Sequence, residues 1–270
     1  FGLMKFPITL LTLPITILPP LTQYDVRRFA HHSFTNSFED DPDLHHFDSF
    51  IRVHRKFRGS GYKNQKYWPF VVLVYTLVVF GSAVAIPLQM LQTNSINGIT
   101  AMTSYSSPLC FLECLVFVWV IILSPLVMST IISALPCVLV NLSTTGLLFG
   151  LFSQINHLNH TSVLSPSARG LHIMPKDQWA RTQVLTSNNF SPQSTAWHIL
   201  SNGLNLQIEH HLFPHLNHCH LRKIQPVVRQ VCEEWGVEYK CYEGYREAFR
   251  GLLAYLDALA DVDVDGDKEE

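Results

Sequence analysis

The stretch from Asn205 to His218, NLQIEHHLFPHLNH, decides how this chain is read, and within it Gln207, His210 and His211 carry the weight. If Leu204 to Phe213 is helical, residues at i, i+3 and i+4 share a face, so these three side chains point one way and Pro214 closes the helix. Nitrogen and oxygen donors then converge on one point. Neutral imidazole is the commonest metal ligand, and the absence of cysteine from the cluster favours an oxygen-activating, iron-type site over a structural zinc knuckle. A helix end with two solvated histidines satisfies the same spacing, because a His-His pair alone is a weak signal.

Composition sets the context for that motif. Of 270 residues, 47% are apolar and only 15% charged, against ~25% charged in a soluble domain, so part of this chain is built to meet lipid. A net charge of −2 gives nucleic acid nothing to bind. Cys110, Cys114, Cys137, Cys219, Cys232 and Cys241 show neither metal nor disulfide spacing and read as reduced thiols. No internal repeat or linker divides the chain, which gives one domain over 1–260 and an acidic tail over 261–270. The tail, DVDVDGDKEE, starts like a calcium loop but lacks its closing glutamate, so it is expected to be disordered.

Along the chain, polar and apolar blocks alternate. An apolar run from Phe6 to Leu21 is interrupted by Pro7, Pro14, Pro19 and Pro20 and falls short of the ~20 residues a spanning helix needs. It reads as the remnant of a longer membrane segment. From Tyr24 to Lys66 the chain is polar and basic, which by the positive-inside rule places it on the cytoplasmic face. Between Lys66 and Arg169 the only charged side chain is Glu113. That region holds three apolar blocks, Pro69 to Leu91, Leu109 to Leu126 and Thr130 to Phe152, read as membrane segments.

Two further histidine groups flank these blocks. RRFAHHSFTNSFEDDPDL carries His31 and His32, with Asp40, Asp41 and Asp43 around Pro42 as carboxylates able to hold a ligand imidazole, Asp43 foremost. FSQINHLNH places Gln154 and His157 at a membrane exit. His45, His46 and His54 read as ordinary surface histidines. A single metal site needs all its histidines on one membrane face, so an even number of crossings must separate His31 from His210. The expectation is that Pro69–Leu91 runs outward and Thr130–Phe152 returns, with Leu109–Leu126 in the far interface. Beyond the motif, Leu221, Ile224, Val228, Val231, Cys232 and Trp235 repeat at helical spacing, and a second helix is expected from Gly244 to Leu259.

At this point the residues carry a resemblance. QIEHHLFP, preceded by GLN and followed by the pattern out to GVEY at Tyr239, resembles the third histidine box of membrane fatty acid desaturases, and its leading Gln is similar to the front-end branch. HHSFTN with DDPDL resembles the second box, and QINH the separate histidine before the third. The match runs from about Tyr24 to Asp257. The resemblance implies an all-α fold, an integral membrane helical bundle with a cytoplasmic histidine-rich helical cap. It also implies two iron ions, dioxygen and electrons from cytochrome b5 and its reductase. The implied substrate is an acyl-lipid or acyl-CoA chain, fatty or sphingoid, in the endoplasmic reticulum or a plastid membrane. Removing hydrogen from an unactivated methylene needs a redox-active metal, which zinc is not. The implied metal ligands are His31, His32, His157, His210 and His211, with Gln207, Asp43 and Gln154 as outer partners or a weak ligand.

The sequence also departs from that pattern. Arg28 stands where the second box has its first histidine, Tyr24 stands where the family tends to have Trp, and no H-x(3 or 4)-H pair lies upstream. Arginine cannot ligate a metal. The chain therefore reads as an amino-terminally incomplete member, expected to be inactive as it stands. Two alternatives stay open: a catalytically inactive protein of the same fold, and a lipid hydroxylase of the same superfamily.

Overall fold

The computed structural model describes residues 31–38, 40–47, 50–57, 62–77, 92–93, 95–96, 99–100, 131–163 and 178–261. The readings of the run to Leu21, of Tyr24 and Arg28, of Leu109–Leu126 with Glu113, and of the tail beyond Asp261 fall outside those residues. In chain order the helices are α1 (His32–Phe34), α2 (Trp68–Leu77), α3 (Ile131–Gln154), α4 (His160–Val163), α5 (Trp179–Leu185), α6 (Thr195–Leu200), α7 (Gln207–Leu212), α8 (Leu221–Glu234) and α9 (Tyr245–Ala260). Short 3-10 turns occupy Pro42–His46, Tyr62–Lys66, Leu204–Leu206 and His218–His220.

Helix α3 is long and apolar enough over Leu135–Gln154 to cross a bilayer, with a mean hydropathy of 1.7. A core helix would hide its apolar side chains, yet only 28% of this window is buried, and Val140 is 65% exposed. Its other face is cut for a neighbour. Gly146 and Gly150 lie one turn apart, and any side chain there would run into the Tyr75 and Thr76 carbonyls or the Tyr75 ring of α2. Cβ atoms lean toward a helix's own N-terminus, so the Tyr75 ring at Gly150 and the carbonyls at Gly146 mean that the two helices run in opposite senses.

The C-terminal half covers the ends of these helices. On α9 the buried residues Ala248, Leu252, Tyr255, Leu256 and Leu259 recur at helical spacing and join one core with Phe47, Ile51 and Tyr75. Polar bonds fasten the helix to the segment before α2. Tyr255 donates to the Val53 carbonyl (2.7 Å), Gln65 donates to the Leu256 carbonyl, and Lys66 pairs with Asp261. Arg52 is 2% exposed, donates to the Leu259 carbonyl (3.3 Å) and lies over the Tyr62 ring (4.7 Å). A cation at that end of α9 also meets the negative end of its dipole.

Among the described residues, two pairings depart from helix: Ser95–Ile96 antiparallel to Ile99–Thr100, and Asn189–Phe190 parallel to Cys241–Tyr242. The second closes a long loop of chain and pins the polar strand-like segment behind the histidine helix. Entry to that helix depends on Gly203, whose φ of 83° is left-handed and whose added Cβ would sit 2.5 Å from the His218 Cβ. Gly203→Ala is therefore expected to destabilise the protein by about 2 kcal/mol, read as a lowered unfolding midpoint in detergent. A midpoint unchanged from the parent would contradict the close approach.

Candidate metal centre

Hydrogen bonds between distant loops set the backbone of this region. Asn36, in the left-handed region at φ 64°, donates from its side chain to the carbonyls of His157 (3.2 Å) and Thr186 (3.3 Å). Its own N–H donates to Asp41 Oδ2 (2.8 Å). Trp179 donates its indole N–H to the His32 carbonyl (3.0 Å). Three segments far apart in sequence are thus tied together before any imidazole is considered.

The imidazoles then converge. One ring nitrogen from each of His31, His157 and His211 lies within 4.8 Å of the others, and all three residues are buried. Each Nδ1 has an acceptor on its outer side. For His31 it is the Asp41 carboxylate (3.0 Å), for His157 the Thr186 carbonyl (3.0 Å), and for His211 the Gln183 Oε1 (2.9 Å). A carbonyl only accepts, so Nδ1 of His157 carries the proton and its Nε2 presents a lone pair inward. The same tautomer follows for His211 from Gln183.

Burial favours the neutral form of His157 and His211. It pushes the His157 pKa down to about 3, helped by the nearby His31, while the Thr186 carbonyl works in the other direction. His211 is lowered well below the usual histidine range, first by burial and then by His32. The Nε2 atoms of His157 and His211 face each other at 3.1 Å with both hydrogens on the far side. Two lone pairs at that distance repel. The Gln207 amide nitrogen bridges them, donating at 2.8 Å to His157 and 3.0 Å to His211. Inward lone pairs and outward-fixed protons on His157 and His211 are what a divalent cation fits, and the Gln207 amide edge stands between them where such a charge would be welcome.

The sign of the pH effect follows for the metal-free protein. His157 takes up its proton at an ordinary pKa when unfolded but only near 3 when folded, so unfolding binds a proton between those values. Its contribution is fully present above about pH 6.5 and is lost as pH falls toward about 3. Chemical denaturation of metal-free protein should show a clear loss of stability from pH 7.5 to pH 5. A His157→Gln variant should show a shallower loss over the same window.

Not every residue singled out from the sequence joins the triad. His32 and His210 are neighbours of it: their rings are 4.9 Å apart, and His32 lies 4.3 Å from His211. The i, i+3, i+4 argument put His210 beside Gln207 and His211. In the six-residue α7, His211 and Gln207 are buried while His210 is half-buried and turned to His32. Asp43 lies 3.9 Å from His31 Nδ1 and is displaced in that role by Asp41. Asp41 caps the Pro42–His46 turn by accepting from the Asp43 N–H (2.9 Å), which fixes its carboxylate toward His31. Gln154 ends α3 and meets Ser153 (3.5 Å) instead of an imidazole. His45 and His54 pack their rings around Phe38.

Residues the sequence did not disclose are Gln183, Thr186 and the support behind α7. Glu209 is wholly buried there, and burial raises its pKa while its hydrogen bonds oppose. Its carboxylate accepts from Tyr239 (2.6 Å) and Asn189 (2.8 Å). Asn189 also accepts from the Ile208 N–H (3.0 Å), and Gln225 donates to Tyr239 (3.2 Å). The histidine helix is thereby bolted to the parallel pairing and to α8.

Among the described residues, a mostly helical chain with one helix long and apolar enough to cross a membrane ends in a buried histidine cluster compatible with a metal site. The chain matches the Fatty acid desaturase family model over residues 6–243 and belongs to that family. It is 26% identical over 251 residues to the sn-1 linoleoyl-lipid 6-desaturase of Synechocystis, covering 86% of this chain and 64% of the relative. It is 30% identical to the acyl-lipid (8-3)-desaturase of Physcomitrium patens, over 88% of this chain and 50% of that one. For the acyl-lipid (9-3)-desaturase of Borago officinalis the values are 31%, 84% and 50%. The chain spans about half to two thirds of the length of these relatives. No solved structure matches it.

Proposed function

We propose that this chain carries the metal-binding core of a membrane-bound acyl-lipid desaturase. The observation that carries the reading is the convergence of buried imidazole nitrogens from three segments of a fatty acid desaturase chain. His31, His157 and His211 would hold one iron, and His32 and His210 would contribute to a second, with Gln207 between His157 and His211. When bound, two irons with dioxygen and electrons from cytochrome b5 and its reductase supply the oxidant that removes two hydrogens from an alkyl chain.

The chain's own residues do the rest. Asp41, Gln183 and the Thr186 carbonyl fix which nitrogen of each ring is free, so no ring has to reorient when metal binds. At 6% exposure or less, His31, His32, His157 and His211 keep water from the metal position, which suits an oxidant that must meet a lipid chain instead of solvent. The half-buried His210 is the edge of the cluster nearest solvent. The substrate is an acyl lipid, and the cluster belongs on the cytoplasmic side of the endoplasmic reticulum membrane.

The test uses yeast membranes containing either the chain as given or a version with Arg28→His and an upstream H-x(3)-H segment. Both are expected to bind divalent metal. Only the second is expected to yield a new unsaturated acyl chain. Hydroxylated lipid from the second version would move the assignment to the hydroxylases, and absence of metal from both would end the metal reading.

A further inference from the structure

We propose that α6, Thr195–Leu200, is an interfacial anchor that lies in the headgroup layer and inserts Ile199 and Leu200 into the edge of the lipid. The proposal rests on the reading of Leu135–Gln154 as a membrane span and goes beyond it, because α6 is too short to span and lies in a different part of the chain.

The position of α6 follows from its contacts. Trp197 packs edge-on against Phe152 in the last turn of α3, with ring centroids 6.2 Å apart. Asn156, two residues past the end of α3, donates to the Leu204 carbonyl (2.8 Å), so the chain leaving α6 is held at the mouth of the span. The depth is therefore that of the bilayer surface. Aromatic side chains mark the same level: Trp197 stacks on Tyr245 at 4.5 Å, and Tyr67 and Trp68 stand 68% and 58% exposed at the start of α2. Amphipathic rings gather where lipid tails give way to headgroups.

The chemistry of α6 fits that depth. None of its residues is buried, and Ile199 and Leu200 are 72% and 60% exposed. Water gives two adjacent aliphatic side chains no reason to stand out at the end of a span. An acyl-chain boundary does. The neighbouring Arg222 on α8 donates to Thr195 Oγ1 (3.1 Å), which ties the first turn of α6 to α8. Through the Gly203 turn, α6 runs directly into Leu204–Leu206 and α7, so the bilayer surface would set the height of His211 above the acyl chains.

The test places a benzophenone amino acid at Val140, Ile199 or Glu234 of the chain in phosphatidylcholine–phosphatidylserine nanodiscs and measures phospholipid adducts after illumination. Val140 reports on the span, and the exposed Glu234 on α8 reports on solvent. The expected result is adduct at Ile199 within about threefold of Val140 and at least about tenfold above Glu234. Adduct at Val140 with none at Ile199 overturns the anchor and leaves the span standing. No adduct at Val140 overturns the span itself, and the anchor with it. None of these readouts depends on metal or on turnover, so they stand apart from the test of the desaturase reading.

Discussion

Replacing His211 by alanine should lower the affinity of the purified chain for a divalent metal by more than about 100-fold, whereas His210→Ala should cost far less. Loss of an outer partner alone costs 10- to 100-fold, and loss of a ligand should exceed that. The difference between the two neighbours comes from their positions. His211 is fully buried and within ring contact of His31, His32, His157 and His210, whereas His210 is half-buried and reaches His32. Competition titrations with cobalt, which reports its ligands optically, would rank the two variants. Equal losses would mean that His210 and His211 contribute alike to holding the metal, against the geometry.

The second large effect is on stability. Glu209→Ala should destabilise the fold by on the order of 3 kcal/mol, because it removes, at a wholly buried position, the carboxylate that accepts from both Tyr239 and Asn189. Glu209→Gln keeps the shape and one acceptor and should cost less. Unfolding in denaturant with the far-UV signal as readout checks both. If the alanine variant unfolds with the parent, the buried network contributes nothing and α7 is held by packing alone.

Much of this arrangement was legible in advance where a period or a spacing carried it. The buried positions of α8 and α9 repeat every three to four residues, and the expected helices over 221–235 and 244–259 appear at Leu221–Glu234 and Tyr245–Ala260. Histidine pairs stand out in any sequence. The parts that stayed hidden are those whose partners lie far away in the chain. Gln183 and Asn189 sit in polar segments with no period, and only the approach of α7 gives them work: 28 residues separate Gln183 from His211, and 20 separate Asn189 from Glu209. Asp41 and Asp43 differ by two positions in one turn, and what selects Asp41 is the capping bond beside Pro42. His210 and His211 lie about 100° apart around the helix on either side of Gln207, so the spacing brings both near the cluster without showing that His211 is the one that enters the buried triad.

The clamp between α9 and the segment before α2 has a consequence for the order of events during synthesis. Arg52, Val53, Gln65 and Lys66 emerge from the ribosome some two hundred residues before their partners Leu259, Tyr255, Leu256 and Asp261. Until translation reaches that last helix, the early segment has no floor beneath it. Contacts of such range form late, because the chain between them must close first. A nascent chain stalled before Tyr245 would thus already contain all fourteen of its histidines while the segment through Arg52 and Gln65 still lacked the helix that fastens it.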